Sequence, residues 1–152
     1  MLLSSAMPIS YAATDALEII YHRDYRILIG RFLRPLSEAE NHQCYLDLLA
    51  AARTHHNCCY WLLDIRRRGR SGPEVLQWLL RDFYPQLQRE LSTPARLVYF
   101  MAPGLREEFQ TDGTVPEPHT YQTHEPFRLH QCITEREAVD WLLAEQKATV
   151  GA

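Results

Sequence analysis

The sequence lacks the features that mark membrane-spanning, exported and nucleic-acid-binding proteins. No apolar run approaches the ~18 to 20 residues needed to cross a bilayer, and the first eight residues contain no basic side chain. The four cysteines, Cys44, Cys58, Cys59 and Cys132, do not show the spacing of a disulfide framework. A formal net charge of −3 gives no overall field that would attract nucleic acid. We therefore expect a cytoplasmic protein with no membrane span and no nucleic-acid partner.

The composition is that of one ordinary folded domain. The chain has 152 residues, of which 46% are hydrophobic and 23% are charged, close to the usual values for globular proteins. We expect a loosely ordered leader over residues 1–15, a single α/β domain over residues 16–147 and a short tail over residues 148–152.

Apolar segments of strand length predict a sheet of about five strands. Residues 17–21 and 25–33 flank a charged turn and are typical of an opening hairpin. The nearly continuous apolar run over residues 58–65 is the pattern of a central strand buried on both faces. Residues 96–101 and 127–133 predict the remaining strands.

Three helix starts carry the capping-box pattern, in which a Ser or Thr is followed three residues later by Glu. They are Ser37 with Glu40, Ser71 with Glu74, and Thr134 with Glu137. Pro85 lies inside the second helical pattern and lacks an amide hydrogen, which predicts a kink or a break there. The element order ββαβαβ(α)βα therefore indicates an α/β fold, with a single-layer mixed sheet and helices packed on it.

This element order, with a final helix that carries Glu-Ala-Val-Asp-Trp-Leu-Leu at 137–143, resembles the sulfate-transporter and anti-sigma-factor-antagonist (STAS) family. The likeness is to its divergent sporulation-antagonist-like members and spans residues 17–146. It also depends on Leu63-Asp64-Ile65 at the end of the central strand and on Ser71-Gly72 before the next helix. Regulated members of the family carry a phosphorylation motif at that place, so the resemblance implies a non-enzymatic regulatory module with Ser71 as its candidate phosphosite.

The strongest local signal is a basic segment at the carboxyl end of the predicted central strand. It contains Arg66, Arg67, Arg68, Arg70, Ser71 and Gly72. Guanidinium groups beside the unpaired amides of a helix start can bind anions, although the spacing matches neither a P-loop nor a dinucleotide-binding motif. Three interpretations stay open: a solvated basic turn with a capping serine, a site for a phosphate-bearing or acidic partner, and a phosphorylated Ser71.

Other candidate groups have structural explanations. Asp64 ends the central strand and is expected to pair with a neighbouring arginine. Cys58 and Cys59 would face opposite sides of a strand, so they could not complete one tetrahedral site with His55 and His56. We predict no metal site, no cofactor and no catalytic residue.

Two functional hypotheses follow. In the first, the domain is a regulatory module that contacts an unknown protein partner through residues 66–74, and self-association into a homodimer stays open. In the second, it binds or transforms an anionic small molecule, with the arginines holding a phosphate or carboxylate and the loop 111–126 acting as a lid. A cavity lined by Arg67, Arg70 or His124 would favour the second hypothesis, and a flat apolar patch would favour the first.

Overall fold

The computed structural model describes residues 10–91, 94–111 and 128–150, which form an α/β fold with one mixed sheet of six strands. The strands are β1 Ser10–Ala13, β2 Leu17–His22, β3 Ile27–Phe32, β4 Tyr60–Asp64, β5 Arg96–Phe100 and β6 Arg128–Cys132. They lie side by side in chain order, with β1 to β3 antiparallel and β3 to β6 parallel. The predicted α/β class is confirmed.

The sheet has one strand more than the sequence analysis predicts. Strand β1 lies within the segment that we expected to be a loosely ordered leader, and it pairs with β2 along its whole length. Thr14 makes this possible, because its hydroxyl accepts hydrogen bonds from the amides of Ala16 and Leu17 and closes a tight turn. A strand of four residues with two alanines carries little of the β-branched pattern that predicts strands.

The helices are α1 Glu38–Thr54, α2 Pro73–Trp78, α3 Tyr84–Leu91, α4 Pro103–Thr111 and α5 Glu135–Val150, and a π-helical turn, Leu79–Phe83, joins α2 to α3. In the part of the chain that the structure describes, none of them has both the length and the apolarity needed to span a membrane.

Helix α1 begins as predicted, and α2 does not. Ser37 accepts a hydrogen bond from the Glu40 amide, and the Glu40 carboxylate accepts one from the Ser37 amide, which completes the capping box. At α2 the N-cap is Gly72, and no side chain caps the helix. The predicted cap at Ser71 is wrong because Pro73 occupies the first helical position, which leaves Ser71 one residue too early to reach the free amides.

The helices cover both faces of the sheet. The parallel strands β3 to β6 are added to the sheet one after another on the same side. Right-handed crossovers between them therefore place α1, α2, α3 and α4 on one face of the sheet, and α5 covers the other face. Alternate residues of β4 accordingly enter different cores: Trp61 and Leu63 pack under α1 to α4, and Leu62 packs under α5. The prediction that this strand is buried on both faces is confirmed, although the strand itself begins after Cys58 and Cys59.

Where the sequence predicts a kink or a break at Pro85, the structure has a π-helical turn just before the proline, and helix α3 continues through it. Proline cannot donate to the carbonyl of Arg81, and its ring crowds that carbonyl in an α-helix. The chain instead widens by one residue before the proline, and the amide of Tyr84 bonds to the carbonyl of Leu79. One consequence is that Leu79 and Tyr84, five residues apart, lie on the same side of the helix.

The close approach of α1 to β3 depends on Gly30. A Cβ atom there would lie 2.8 Å from Leu48 Cδ2 and 3.3 Å from Leu63 Cδ2, inside the fully buried core. We expect Gly30→Val to lower the free energy of unfolding by about 2 kcal/mol, because the added methyl groups overpack this contact. Urea unfolding would measure the loss.

Gly104 in α4 provides the matched control. A Cβ atom there meets nothing within 4 Å among the residues described. Gly104→Ala should therefore leave the stability unchanged or raise it by up to about 1 kcal/mol. Equal losses in the two variants would contradict the proposed packing of α1 on β3.

Candidate functional site

The sheet divides the basic segment between its two faces. Arg66 turns to the α5 face, where its Nε and Nη2 atoms lie 3.0 and 2.8 Å from the Asp64 carboxylate and its guanidinium lies 4.2 Å from the Phe100 ring centre. Arg31 Nη1 also donates to Asp64, at 2.9 Å. Burial alone would raise the pKa of Asp64, but the hydrogen bonds from Arg66 and Arg31 lower it. The predicted ion pair of Asp64 is confirmed, and it neutralises much of the charge of Arg66.

Arg68 turns to the opposite face and is only 8% exposed. The turn is made by Gly69, whose positive φ of 75° is a conformation that glycine adopts without strain. Arg68 Nη1 donates to the Tyr45 hydroxyl at 3.0 Å and to Asn41 Oδ1 at 3.4 Å, and the guanidinium lies 4.7 Å from the Phe32 ring centre. The arginines that form one patch in the sequence therefore differ in the structure: Arg68 is buried, Arg66 pairs with the buried Asp64, and Arg67 and Arg70 are exposed.

Three tyrosine hydroxyls continue from Arg68 as a hydrogen-bonded chain. The Tyr45 and Tyr99 oxygens are 3.1 Å apart, and the Tyr99 and Tyr84 oxygens are 2.7 Å apart. Arginine can only donate, so the Tyr45 hydroxyl accepts from Arg68, and either oxygen can be the donor in the two bonds between tyrosines. Burial raises the pKa of Tyr99 well above its ordinary value, so this hydroxyl is a neutral phenol.

These groups line a cavity of about 330 Å³ at the carboxyl ends of β4, β5 and β6. Its apolar lining consists of Ile65, Leu76, Leu79, Met101, Phe109 and Leu129, and its polar lining consists of Tyr45, Arg68, Arg70, Ser71, Tyr84, Tyr99 and Gln131, with Gly72 and Pro73 at α2. The π-helical turn contributes here, because it brings Tyr84 to the side of the helix that carries Leu79. Among these residues there are two arginines and no carboxylate, histidine or cysteine.

Arg68 has hydrogen-bonding capacity that the described part of the protein leaves unused. Its Nε donates to the carbonyl of Gly69 and its Nη1 to Tyr45 and Asn41, whereas Nη2 bonds to none of the described residues, and no described carboxylate pairs with the guanidinium. Burial alone would lower the pKa of Arg68, but the tyrosines raise it, so the group stays charged. The Ser71 hydroxyl, in the same cavity lining, is also buried, and it has no hydrogen-bond partner among the described residues.

The cavity includes some of the predicted site residues and omits others. Arg68, Arg70, Ser71 and Gly72 line it, Arg66 is paired with Asp64, and Arg67 is exposed and outside the lining. Because the Ser71 hydroxyl is buried, a kinase could reach it only if the segment opened, and the phosphosite stays a prediction. His124 and the predicted lid lie outside the described residues, except Thr111, which ends α4.

The sequence analysis missed the three tyrosines. Tyr45, Tyr84 and Tyr99 lie on separate apolar stripes, where they look like ordinary core residues. The sequence offers one signal of their role in the site. Three tyrosines occupy core positions of elements that have one end near the basic segment, and buried phenol hydroxyls need hydrogen-bond partners.

The buried cysteines have the chemistry of structural residues. All four cysteines are free, and burial raises the pKa of the Cys44 thiol to about 11 and those of the Cys58 and Cys132 thiols to about 12. These three groups are therefore neutral thiols at pH 7 and poor nucleophiles.

Comparisons of the chain with protein-family models, with curated proteins and with solved structures found no match. The resemblance to the STAS family accordingly stays a prediction from the sequence.

Two buried arginines allow a test of whether Arg68 is there for stability. Arg96 pairs with the buried Glu145 at 2.7 Å, and Arg128 holds the same carboxylate at 3.1 Å, so Arg96→Met removes the more buried of two arginine partners and should cost about 2 kcal/mol. Arg68→Met strands no carboxylate among the described residues and removes a buried charge, so the free energy of unfolding should stay within about 1 kcal/mol of wild type or rise. Chemical unfolding measures both, and similar losses in the two variants would make Arg68 a structural residue.

Proposed function

We propose that the domain binds a small organic anion with an apolar body in this cavity. The observation that carries the proposal is Arg68: a buried guanidinium at the cavity wall with an unused Nη2 atom and no described carboxylate beside it. An arginine of this kind is a ready partner for a carboxylate or phosphate group.

The energetics of burial support a ligand as the missing counter-charge. Burying a charge without an ionic partner is unfavourable, and phenol and amide oxygens compensate only part of the lost hydration. An anion that enters the cavity would complete the pair where the dielectric constant is low and the attraction is strong. A site of this kind gains ligand affinity from an arrangement that is suboptimal for the free protein.

The remaining lining suits the apolar part of such a ligand. Leu76, Leu79, Met101 and Leu129 provide aliphatic surface, and each methylene buried against them contributes about 0.8 kcal/mol. Arg70 lies 5.5 Å from the ring centre of Phe109, which joins the segment before α2 to α4 at the edge of the cavity. The described lining offers no carboxylate, histidine or cysteine for proton transfer or nucleophilic attack, and binding is therefore the function we propose.

The regulatory module stays as a second hypothesis with its own surface. Arg67, Gly72, Pro73 and Glu74 are exposed, so a protein partner could contact residues 66–74 as the STAS resemblance implies. The two hypotheses use different arginines, since Arg67 is on the surface and Arg68 is buried.

Sodium octanoate is a suitable first probe because it joins one carboxylate to an alkyl chain. It should raise the melting temperature of the wild-type protein and bind in calorimetry, whereas octanamide, which has the same shape without the charge, should bind at least about tenfold more weakly.

Matched variants connect the binding to the site. Arg68→Met should lose octanoate binding, and Arg67→Met should keep it, because Arg67 is exposed and outside the lining. Octanoate binding that persists in Arg68→Met, or that never occurs in the wild type, would contradict the proposal. A protein partner that binds Arg68→Met but not Arg67→Glu would instead support the regulatory module.

A further inference from the structure

We infer that the site selects singly charged ligands over doubly charged ones, so that its ligand is a monocarboxylate rather than a phosphate monoester. This inference rests on the proposed function and specifies the chemical class of its ligand. Two properties of the cavity support it, the buried charge and the free hydrogen-bond donors, and the volume limits the size of the ligand.

The buried charge of the described lining is a single positive one. Arg68 is buried, whereas Arg70 is exposed and lies against Phe109, so water screens its charge. The ion-paired Arg66 and Arg31 lie on the other face of the sheet, with Asp64. A monoanion would neutralise Arg68, but a dianion would bring a second negative charge into an apolar cavity with no buried cation to match it.

The free donors of Arg68 also suit a carboxylate. Its Nε and Nη1 atoms already bond to Gly69, Tyr45 and Asn41, which leaves Nη2 as the remaining donor of the guanidinium. Ser71 and Gln131 add polar groups to the described lining. Nη2, Ser71 and Gln131 can satisfy the two oxygens of a carboxylate, whereas the third terminal oxygen of a phosphate monoester dianion would depend on further donors such as the exposed Arg70.

The cavity volume limits the size of the ligand. About 330 Å³ is at the lower end of the range for small-molecule pockets and equals the share of roughly eleven bulk water molecules. A ligand with on the order of ten non-hydrogen atoms, such as an eight-carbon carboxylate, fits that space.

Octyl phosphate offers a direct test because its charge changes with pH while its body does not. The second ionisation of a phosphate monoester has a pKa of about 6, so the probe is mainly a monoanion at pH 5.5 and a dianion at pH 8. Tyrosine and arginine are the only ionisable residue types in the described lining. Sodium octanoate stays a monoanion at both pH values and serves as the control.

We expect calorimetry on the full chain to show octyl phosphate binding about tenfold or more weakly at pH 8 than at pH 5.5, with octanoate changing by less than about twofold. Octyl phosphate that binds equally well or better at pH 8, but fails to bind Arg68→Met, would overturn the monoanion inference and leave the proposed function standing. An equal loss of affinity for both probes at pH 8 would also overturn the inference, because the effect would belong to the protein. If neither octyl phosphate nor octanoate bound at pH 5.5 or at pH 8, the proposed function itself would be overturned.

Discussion

The alternation of side chains along β4, together with the turn that follows this strand, organises the carboxyl edge of the sheet. Successive residues of β4 face opposite sides, so Asp64 lies on the α5 face and Ile65 packs toward the other helices. Alternation alone would place Arg66 and Arg68 on the same face, but both lie beyond β4 in a turn that the hydrogen bond from the Gly69 amide to the Ile65 carbonyl closes, and this turn carries them to opposite faces. These two guanidinium groups therefore have different surroundings, since Arg66 lies beside a carboxylate and Arg68 lies among phenols. They are only two positions apart in the chain.

Local signals made much of the fold predictable, and they failed where distant residues decide the outcome. The Ser37 cap depends on Glu40, three residues away, and a sequence shows that pattern directly. The Tyr45 and Tyr99 hydroxyls meet across 54 positions, and each looks like a core aromatic in its own stripe. The basic segment was correctly placed at the end of the central strand, but its division between two faces depends on the packing of α1 and α5, which no local pattern contains.

The failed cap at Ser71 is informative for the same reason. The pattern of Ser followed by Glu three residues later is present, but Pro73 takes the first helical position and moves the N-cap to Gly72. The serine hydroxyl does not cap the helix and is a buried polar group at the cavity with no partner in the part of the chain that the structure describes. The serine of this capping-box pattern therefore does not cap the helix here, and its hydroxyl makes no hydrogen bond to the described residues.

Several departures from ordinary folding rules coincide at one place. A buried cation without a described carboxylate, a buried hydroxyl without a hydrogen bond and a π-helical turn each cost stability, and residues from all three line the same cavity. The buried carboxylates on the α5 face, by contrast, have arginine partners: Asp64 pairs with Arg31 and Arg66, and Glu145 pairs with Arg96, although one oxygen of Glu135 is buried without a hydrogen bond to the described residues. Because proteins tolerate local inconsistency mainly where a function requires it, a buried guanidinium with no described carboxylate beside it supports the proposed binding site independently of the cavity's shape.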